Sequence, residues 1–334
     1  TRFGGFFYAL NYYINTIMAD EGETKPRADF KALIDKAKIP PPAEVYPALN
    51  DVTKVKKITI NQKDKANFLK AYKLKPGKSG YGFGEVAIFW LYSTGGTNNG
   101  PRAILNVDKN FLADLQINGA PVEAKAYKNS LEKSKVEFGK WTKLDGGYFL
   151  ELVTELFGVY NIISGKSPVT TNNFVHKDLE DAAEGLCGIR QTFFDLKKKA
   201  TKPGAKEGDK IALKTITSFP FFVNVQKKIQ KIDKMFDSKK GLEDCAVGKE
   251  DKDRPGGEKM ADKIVLYFLK QMFLRKTGKN GFLINIQGSG GNYTGGDKFE
   301  VVKIDTTNIK KDNLAEAVSF NGFRVNINFK LLFG

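Results

Sequence analysis

The order of apolar and polar residues along the chain predicts a mixture of helices and strands. Apolar residues spaced three and four apart mark helices, and shorter segments alternate with the period of two typical of strands. The predicted helices cover residues 1–20, 28–38, 63–74, 85–93, 146–163, 176–200 and 260–278. The predicted strands cover residues 54–62, 103–107, 111–117, 122–127, 281–287, 298–304 and 323–333, while residues 211–241 combine a short strand with a basic helix. The pattern predicts an α/β (α+β) fold, a mixed sheet flanked by helices with a helical and β C-terminal extension.

One predicted hairpin carries three charged residues. Its sequence, "ADLQINGAPVEAKAY" at residues 113–127, contains an Asn-Gly pair, a strong signal for a tight turn between antiparallel strands. The strand period puts Glu123 and Lys125 on one face, and the partner strand brings Asp114 alongside. Glu85 opens the helix after the glycine-rich loop "KPGKSGYGFG". Two interpretations are open here: these four side chains converge in a site, or the hairpin is an edge whose charges face water.

The length and the apolar content allow a large buried core. The chain has 334 residues, 26 of them Phe, and divides by pattern into three segments: 1–76, a helix and strand segment packing on the core; 77–240, a core with following helices; and 241–334, a charged loop, a helix and β-hairpins. No uninterrupted apolar run reaches the roughly 18–20 residues that span a bilayer, so no membrane partner is expected. The apolar start of the chain is interpreted as a packed amphipathic helix, with a membrane-surface helix as the alternative.

The cysteine and histidine content excludes several kinds of site. Cys187 and Cys245 are far apart in sequence and are accompanied by a single histidine, His176, whereas structural zinc sites need four closely spaced ligands. The two cysteines are therefore expected to be reduced thiols in an intracellular protein. Ser-His-Asp and Cys-His mechanisms would both depend on His176, which the pattern places in the first turn of a helix rather than in a catalytic pocket.

The charge of the chain indicates polyanionic partners. It has 54 Lys and Arg against 38 Asp and Glu, a net charge of +16, and most of the excess is lysine in clusters. Lysine clusters make sequence-independent contacts with phosphates. The candidate nucleic-acid contacts are Lys197, Lys198, Lys199, Lys227 and Lys228. The alternative is a lysine-rich surface that only solvates the protein.

The residues around the hairpin resemble a known superfamily. The motif runs from "GYGFGEVAIFWLY" to "ADLQINGAPVEAKAY", within residues 77–130. Its matching positions are Gly82, Gly84, Glu85, Asp114, Gly119, Glu123 and Lys125. This order of Glu, Asp and Glu-x-Lys is similar to the PD-(D/E)xK nuclease superfamily, and the glycine pattern resembles poorly characterised proteins of tailed bacteriophages. Where that pattern continues with a Gly-Gly-Arg-like turn, this chain has "YKNSLEKSK", in which Lys128 or Lys133 could substitute.

The resemblance implies a restriction-endonuclease-like fold and a metal site. Asp114 and Glu123, with Glu85, would hold Mg²⁺, and Lys125 would orient the attacking water. The chemistry itself is consistent with this, because Mg²⁺ prefers carboxylate oxygens and lowers the pKa of bound water. The implied function is a Mg²⁺-dependent DNA nuclease of bacteriophage origin.

Two other functions are compatible with the same residues. The first is a virion structural protein, a head, neck or tail component that reuses the nuclease fold without catalysis and contacts other virion proteins. The second is a non-enzymatic nucleic-acid-binding protein that uses its lysine clusters alone. The expected location is the host cytoplasm or the phage virion.

Overall fold

A mixed six-stranded sheet with helices on both faces forms the centre of the fold. The computed structural model describes residues 30–74, 81–95, 102–105, 113–165, 167–246, 256–289 and 291–334. The helix predicted at residues 1–20 lies outside these ranges. The mixed α/β class predicted from the sequence is confirmed.

Most predicted elements are present, with shifted ends. The α-helices are α1 (Phe30–Lys36), α2 (Gln62–Tyr72), α3 (Phe83–Leu91), α4 (Tyr148–Ser164), α5 (His176–Thr201), α6 (Glu207–Ser218), α7 (Pro220–Asp237), α8 (Gly257–Thr277), α9 (Leu314–Ala317) and α10 (Phe329–Phe333). The strands are β1 (Lys56–Thr59), β2 (Ala103–Leu105), β3 (Leu115–Ile117), β4 (Ala120–Lys125), β5 (Val136–Lys140), β6 (Asn280–Asn285), β7 (Gly288–Ser289), β8 (Asn292–Tyr293), β9 (Lys298–Asp305), β10 (Val318–Asn321) and β11 (Arg324–Ile327). Among these helices, none combines the length and apolarity needed to cross a bilayer.

The main sheet has the strand order β1-β9-β6-β4-β3-β2. Only the β4–β6 pair is parallel, and the other neighbours are antiparallel. A second, antiparallel sheet has the order β10-β11-β5. The main sheet takes β1 from residues 1–76, β2 to β4 from residues 77–240, and β6 and β9 from residues 241–334. The three segments proposed from the sequence therefore contribute to one common sheet.

The two faces of the main sheet bury two different apolar cores. Val122 of β4 pairs with Phe282 of β6, and both belong to the core formed with α1, α2 and α3. Leu283 of β6 pairs with Val302 of β9, and both belong to the core formed with α4, α5, α7 and α8. Since side chains alternate along a strand, Glu123, which pairs with Leu283, points to the second face.

Two strand predictions were wrong in part. The strand expected at the start of residues 211–241 belongs to helix α6, which has Glu207 and Asp209 in its first turn. Acidic residues at a helix start interact favourably with the helix dipole, and α6 packs against α5 and α7. The strand predicted at residues 323–333 ends at Ile327, because the Asn328 side chain accepts the Leu331 N–H at 3.2 Å and caps α10.

Candidate active site

The hairpin of β3 and β4 forms as the Asn-Gly pair predicts. Asn118 and Gly119 have φ angles of 50° and 78°, as required by a two-residue turn that matches the strand twist. The pairing ends at Leu115 and Val122, so the N–H of Ala124 lacks a strand partner on that side. The carboxylate of Asp114 accepts this N–H at 2.8 Å. The aspartate thus replaces a backbone acceptor and lies beside the Glu-x-Lys strand.

Glu123 is the centre of the ion cluster. It is fully buried, and its Oε1 accepts hydrogen bonds from the ammonium groups of Lys125 and Lys276, the latter at 3.0 Å. Lys125 also lies 3.9 Å from Oδ2 of Asp114. The second oxygen, Oε2 of Glu123, is buried and has no hydrogen-bond partner. One carboxylate oxygen therefore has two ammonium partners, and the other has no hydrogen-bond partner.

Lys276 is a member of this cluster that the sequence did not reveal. It lies in the last turn of α8, where a basic residue is ordinarily explained by the helix dipole. Its side chain runs past β5, since a Cβ added to Gly139 would lie 4.0 Å from Cε of Lys276. The contact with Glu123 joins residues 153 positions apart. A contact between residues so far apart cannot be predicted from the local sequence pattern.

Tyr127 extends the face that carries Glu123 and Lys125. It lies two positions beyond Lys125, and its hydroxyl is buried without a hydrogen-bond partner. Burial raises the pKa of Tyr127, although the nearby Lys125 acts in the opposite direction. The phenol therefore stays protonated and is a hydrogen-bond donor next to the cluster.

A buried polar network fixes the chain where it leaves β4. Asn285 accepts the Tyr127 N–H at 2.9 Å and donates to Glu300 at 3.0 Å. Glu300 also accepts the Ser130 hydroxyl and, at 2.8 Å, the Leu131 N–H. Fully paired buried networks of this kind hold a loop in one conformation. The network therefore positions the end of the Glu-x-Lys strand.

Helix α3 begins directly against β4. A Cβ added to Gly84 would lie 3.2 Å from the backbone carbon and oxygen of Lys125, so only glycine allows this approach without a shift. One added to Gly82 would lie 3.4 Å from Oε1 of Glu85, which places the Glu85 carboxylate over the helix start. The close approach to the Lys125 backbone explains the glycine at position 84, whereas a side chain at position 82 would make only an ordinary contact with the Glu85 carboxylate.

The structure brings together only part of the predicted site. Lys125 contacts Glu123 and lies 3.9 Å from Asp114, and Glu85 lies in the first turn of the adjacent helix. Within the described ranges, however, no three or more His, Cys, Asp or Glu side chains form a group that could hold a metal ion. The assignment of Glu85 as a third ligand stays a prediction.

The electrostatics of the cluster are set by burial and by mutual contacts. Burial, together with the neighbouring Glu123, raises the pKa of Asp114 to about 6. Burial alone would lower the pKa of Lys125, but the carboxylates of Glu123 and Asp114 outweigh this effect and raise it. Lys125 is therefore a firmly protonated group, while Asp114 takes up a proton at a higher pH than an ordinary aspartate does.

His176 begins α5, as the sequence predicts, and is buried. Its Nε2 lies 3.1 Å from Oδ1 of Asp262 in α8 and 3.5 Å from Oε1 of Glu180. The histidine links two helices away from the Asp114–Glu123 cluster. Cys187 is half-buried and Cys245 is buried, and neither forms a disulfide.

The lysines predicted to contact nucleic acid differ in their exposure and in their neighbours. Lys197, Lys198, Lys199 and Lys227 are exposed. Lys228 is half-buried, and its Nζ lies 3.5 Å from Oε2 of Glu155. The first four are available to a ligand, whereas Lys228 already has an acidic neighbour.

Comparison with known proteins gave no match to a protein-family model, to a curated protein or to a solved structure. The resemblance to the nuclease superfamily therefore rests on the residues of the motif alone.

Proposed function

We propose that this chain is a Mg²⁺-dependent deoxyribonuclease whose site consists of Asp114, Glu123 and Lys125, with Glu85 as a further ligand. The observation that carries the proposal is the buried Oε2 of Glu123, which has no hydrogen-bond partner, in a side chain near enough to Asp114 to raise the pKa of that carboxyl group. A buried acceptor without a partner costs about 1–3 kcal/mol, and more when it is charged. A cation at Oε2 would remove that cost.

The chemistry of the donors fits Mg²⁺. This ion takes oxygen ligands, keeps several waters and is usually bound through one or two carboxylates. Asp114 and Glu123 supply that number. In a strand, the C=O and N–H of a residue point to the same edge, so the Ala124 carbonyl faces the side on which Asp114 accepts the Ala124 N–H. It is a further oxygen available there.

The other roles in the proposed reaction fall to Lys125, Tyr127 and Lys276. When bound, the metal supplies neutralisation of phosphodiester charge and a more acidic water. Lys125 is protonated, so it orients a nucleophilic water or a phosphate oxygen by donating hydrogen bonds and does not act as a base. Tyr127 is a second donor on the same face. When Lys125 turns toward the substrate, Lys276 still donates a hydrogen bond to Oε1 of Glu123 and neutralises its charge.

The test is the conversion of supercoiled plasmid to nicked and linear forms in Mg²⁺, against EDTA. We expect the double variant Asp114→Asn, Lys125→Met to lose cleavage by a factor of at least about 10². The matched control is Asp35→Asn, Lys31→Met, which removes an exposed Lys–Asp pair at 2.5 Å in α1. If the wild type and the site variant cleave equally, the proposal is wrong.

The second candidate is a virion structural protein that retains the fold without catalysis. It is favoured by the two ammonium groups on Glu123, which compensate this buried carboxylate without any metal. On this alternative the cluster is a structural ion pair network and the protein belongs to an assembled particle. Mass spectrometry of purified particles should then detect the chain at tens of copies, in a protein that does not cleave DNA.

A further inference from the structure

The helices α5, α6 and α7 carry a concentrated positive charge. Residues 195–234 contain eleven Lys and four Asp or Glu, which accounts for seven of the sixteen net positive charges of the chain. Lys197, Lys198, Lys199 and Lys227 are exposed. None of these four forms an ion pair with a carboxylate in the described part of the chain. These four ammonium groups are therefore available to an anionic partner, whereas Lys228 and Lys231 pair with carboxylates of α4.

The same helices expose aromatic rings. Helix α6 has no buried residue, and Phe194, Phe219 and Phe221 are 45%, 55% and 50% exposed. The ring of Phe222 lies 6.0 Å from that of Phe219 and 5.3 Å from that of Phe221, which makes a cluster at the junction of α6 and α7. Phenylalanine is among the residues most often buried, so three exposed rings on neighbouring helices indicate a binding surface.

The rings and the lysines lie at the same end of the helix pair. Arg190 of α5 forms an ion pair with Asp233 of α7, while Lys197 and Gln226 line one groove further along. The two helices are thus antiparallel, and the start of α7, with its phenylalanines, extends toward the lysine-rich end of α5. The groove between α5, α6 and α7 has a volume of about 460 Å³ and is mainly apolar, with Phe193 and Phe194 in its lining. Its charged lining residues are Lys197 and the paired Arg190 and Asp233, so most of the positive charge of this surface lies outside the groove itself.

We infer that this surface binds single-stranded DNA. Proteins that bind single strands without sequence preference combine a basic groove with aromatic side chains on which bases stack. A duplex keeps its bases inside, so it would leave the exposed rings unpartnered and use only the lysines. The inference rests on the proposed function, in that the substrate is taken to be DNA, and it adds the form of the strand and the place where it is held.

This surface is separate from the Asp114–Glu123 cluster. Helix α8 is antiparallel to α5, since the Gly257 N–H donates to Glu184 at 3.1 Å and His176 lies near Asp262. Lys276, at the cluster, is at the far end of α8 from Gly257. At 1.5 Å per residue, the path along α8 and then along α5 to Lys199 is about 50 Å. The surface therefore holds a strand remote from the phosphate that is cut, and only a long strand engages both places.

The experiment measures binding without metal, by fluorescence anisotropy in EDTA. The probes are a labelled oligothymidylate of about 20 nucleotides and a duplex of equal length, which exceed the site size of about 4–16 nucleotides found for single-strand binders. We expect the wild type to bind the single strand at least about tenfold more tightly. Log affinity should fall with log salt concentration, and the slope should be reduced in Lys197→Gln, Lys198→Gln, Lys199→Gln.

The ring variants distinguish stacking from general apolar contact. Phe219→Leu, Phe221→Leu keeps an apolar surface but removes the rings, and it should weaken single-strand binding by about tenfold or more. Phe323→Ala, at a ring that is likewise 45% exposed but lies beside β11, is the control and should bind normally. Circular dichroism of each variant checks the fold, which exposed positions should preserve.

Several results would overturn the inference while leaving the nuclease proposal intact. They are equal binding of duplex and single strand, unchanged binding by the leucine variant, or displacement of the oligonucleotide by an acidic amphipathic peptide at a lower concentration than by unlabelled oligothymidylate. Single-strand binding by a protein that never cleaves DNA would support the inference and reject the nuclease.

Discussion

At the residue scale, the two carboxylate oxygens of the buried Glu123 have different surroundings. Oε1 has two ammonium partners and Oε2 has no hydrogen-bond partner, although the side chain is fully buried. Asp114 and Lys125 follow from the hairpin pattern, because strand alternation and a tight turn are local properties. Lys276 does not, since helix packing alone brings it to Glu123. The sequence thus predicts the members of the cluster that lie on the hairpin, whereas Lys276 is found only from the packed structure.

The raised pKa of Asp114 predicts a pH-dependent gain in stability for Asp114→Asn. A carboxyl group with a folded-state pKa of about 6, above its ordinary 3.8, destabilises the fold when it is charged. This cost is absent below about pH 4 and is complete above about pH 6. In EDTA, urea unfolding should therefore show Asp114→Asn to be more stable than the wild type by roughly 1–3 kcal/mol at pH 7.5, with a smaller difference at pH 4.5.

The prediction is tested by the direction in which Asp114→Asn changes the free energy of unfolding at pH 7.5. Asp35→Asn, at an exposed carboxylate, serves as the control for the loss of a surface charge. A variant that is less stable than the wild type at pH 7.5 would contradict the unfavourable burial of Asp114.

Lys276 is predicted to weaken metal binding at Glu123. Its ammonium group lies 3.0 Å from Oε1, so a divalent cation on the same carboxylate is repelled by it. Lys276→Gln keeps a donor but removes the charge, and it should tighten Mn²⁺ binding by roughly three- to tenfold. Titration followed by electron paramagnetic resonance of free Mn²⁺ measures this. Lys231→Gln, which removes a lysine bridging Glu151 and Glu155 on the surface, should leave the affinity unchanged. An unaltered affinity in Lys276→Gln would place the metal elsewhere.

At the element scale, Gly84 allows helix α3 to pack closely against β4 next to the candidate ligand Glu85. The sequence predicts the helix and puts Glu85 at its start, but it gives no reason for Gly84. The reason is the contact of 3.2 Å that a Cβ would make with the backbone of Lys125. Helix α6 illustrates the opposite case. Its short run of alternating apolar residues looks like a strand, but the segment forms a helix that has Glu207 and Asp209 in its first turn and no buried residue.

Two glycines in helices should respond oppositely to alanine. Gly84→Ala forces α3 away from β4, and overpacking of this kind typically costs about 1–3 kcal/mol. Gly188 of α5 has open space around the position of a Cβ, so Gly188→Ala should stabilise by about 0.5–1 kcal/mol through helix propensity. Urea unfolding of both variants provides the measurement. Equal effects would show that α3 can shift freely, which would weaken its role in positioning Glu85.

At the scale of the whole molecule, the main sheet contains strands from all three of the segments proposed from the sequence. The pattern of the last segment predicts strands correctly at β6 and β9, but pairing partners are not encoded locally. The structure inserts β6 between β4 and β9, and β9 pairs in turn with β1. The network of Asn285 and Glu300, which fixes the end of β4, also comes from this segment. The candidate site therefore depends on residues more than 150 positions away from it.

This topology predicts that neither part of the chain folds alone. A fragment of residues 1–246 would lack β6 and β9, which lie inside the sheet, and would expose one edge of β4 and one edge of β1. A fragment of residues 256–334 would keep β6 and β9 without β4 or β1. Each fragment should lack a cooperative thermal transition by circular dichroism, because its apolar strand faces have no partner. Mixing the two should restore the transition, together with protection of the β6 amides from hydrogen exchange. A cooperative transition in residues 1–246 alone would mean that the last segment is a separable extension, and that Asn285 and Glu300 are not needed to hold the Glu-x-Lys strand in place.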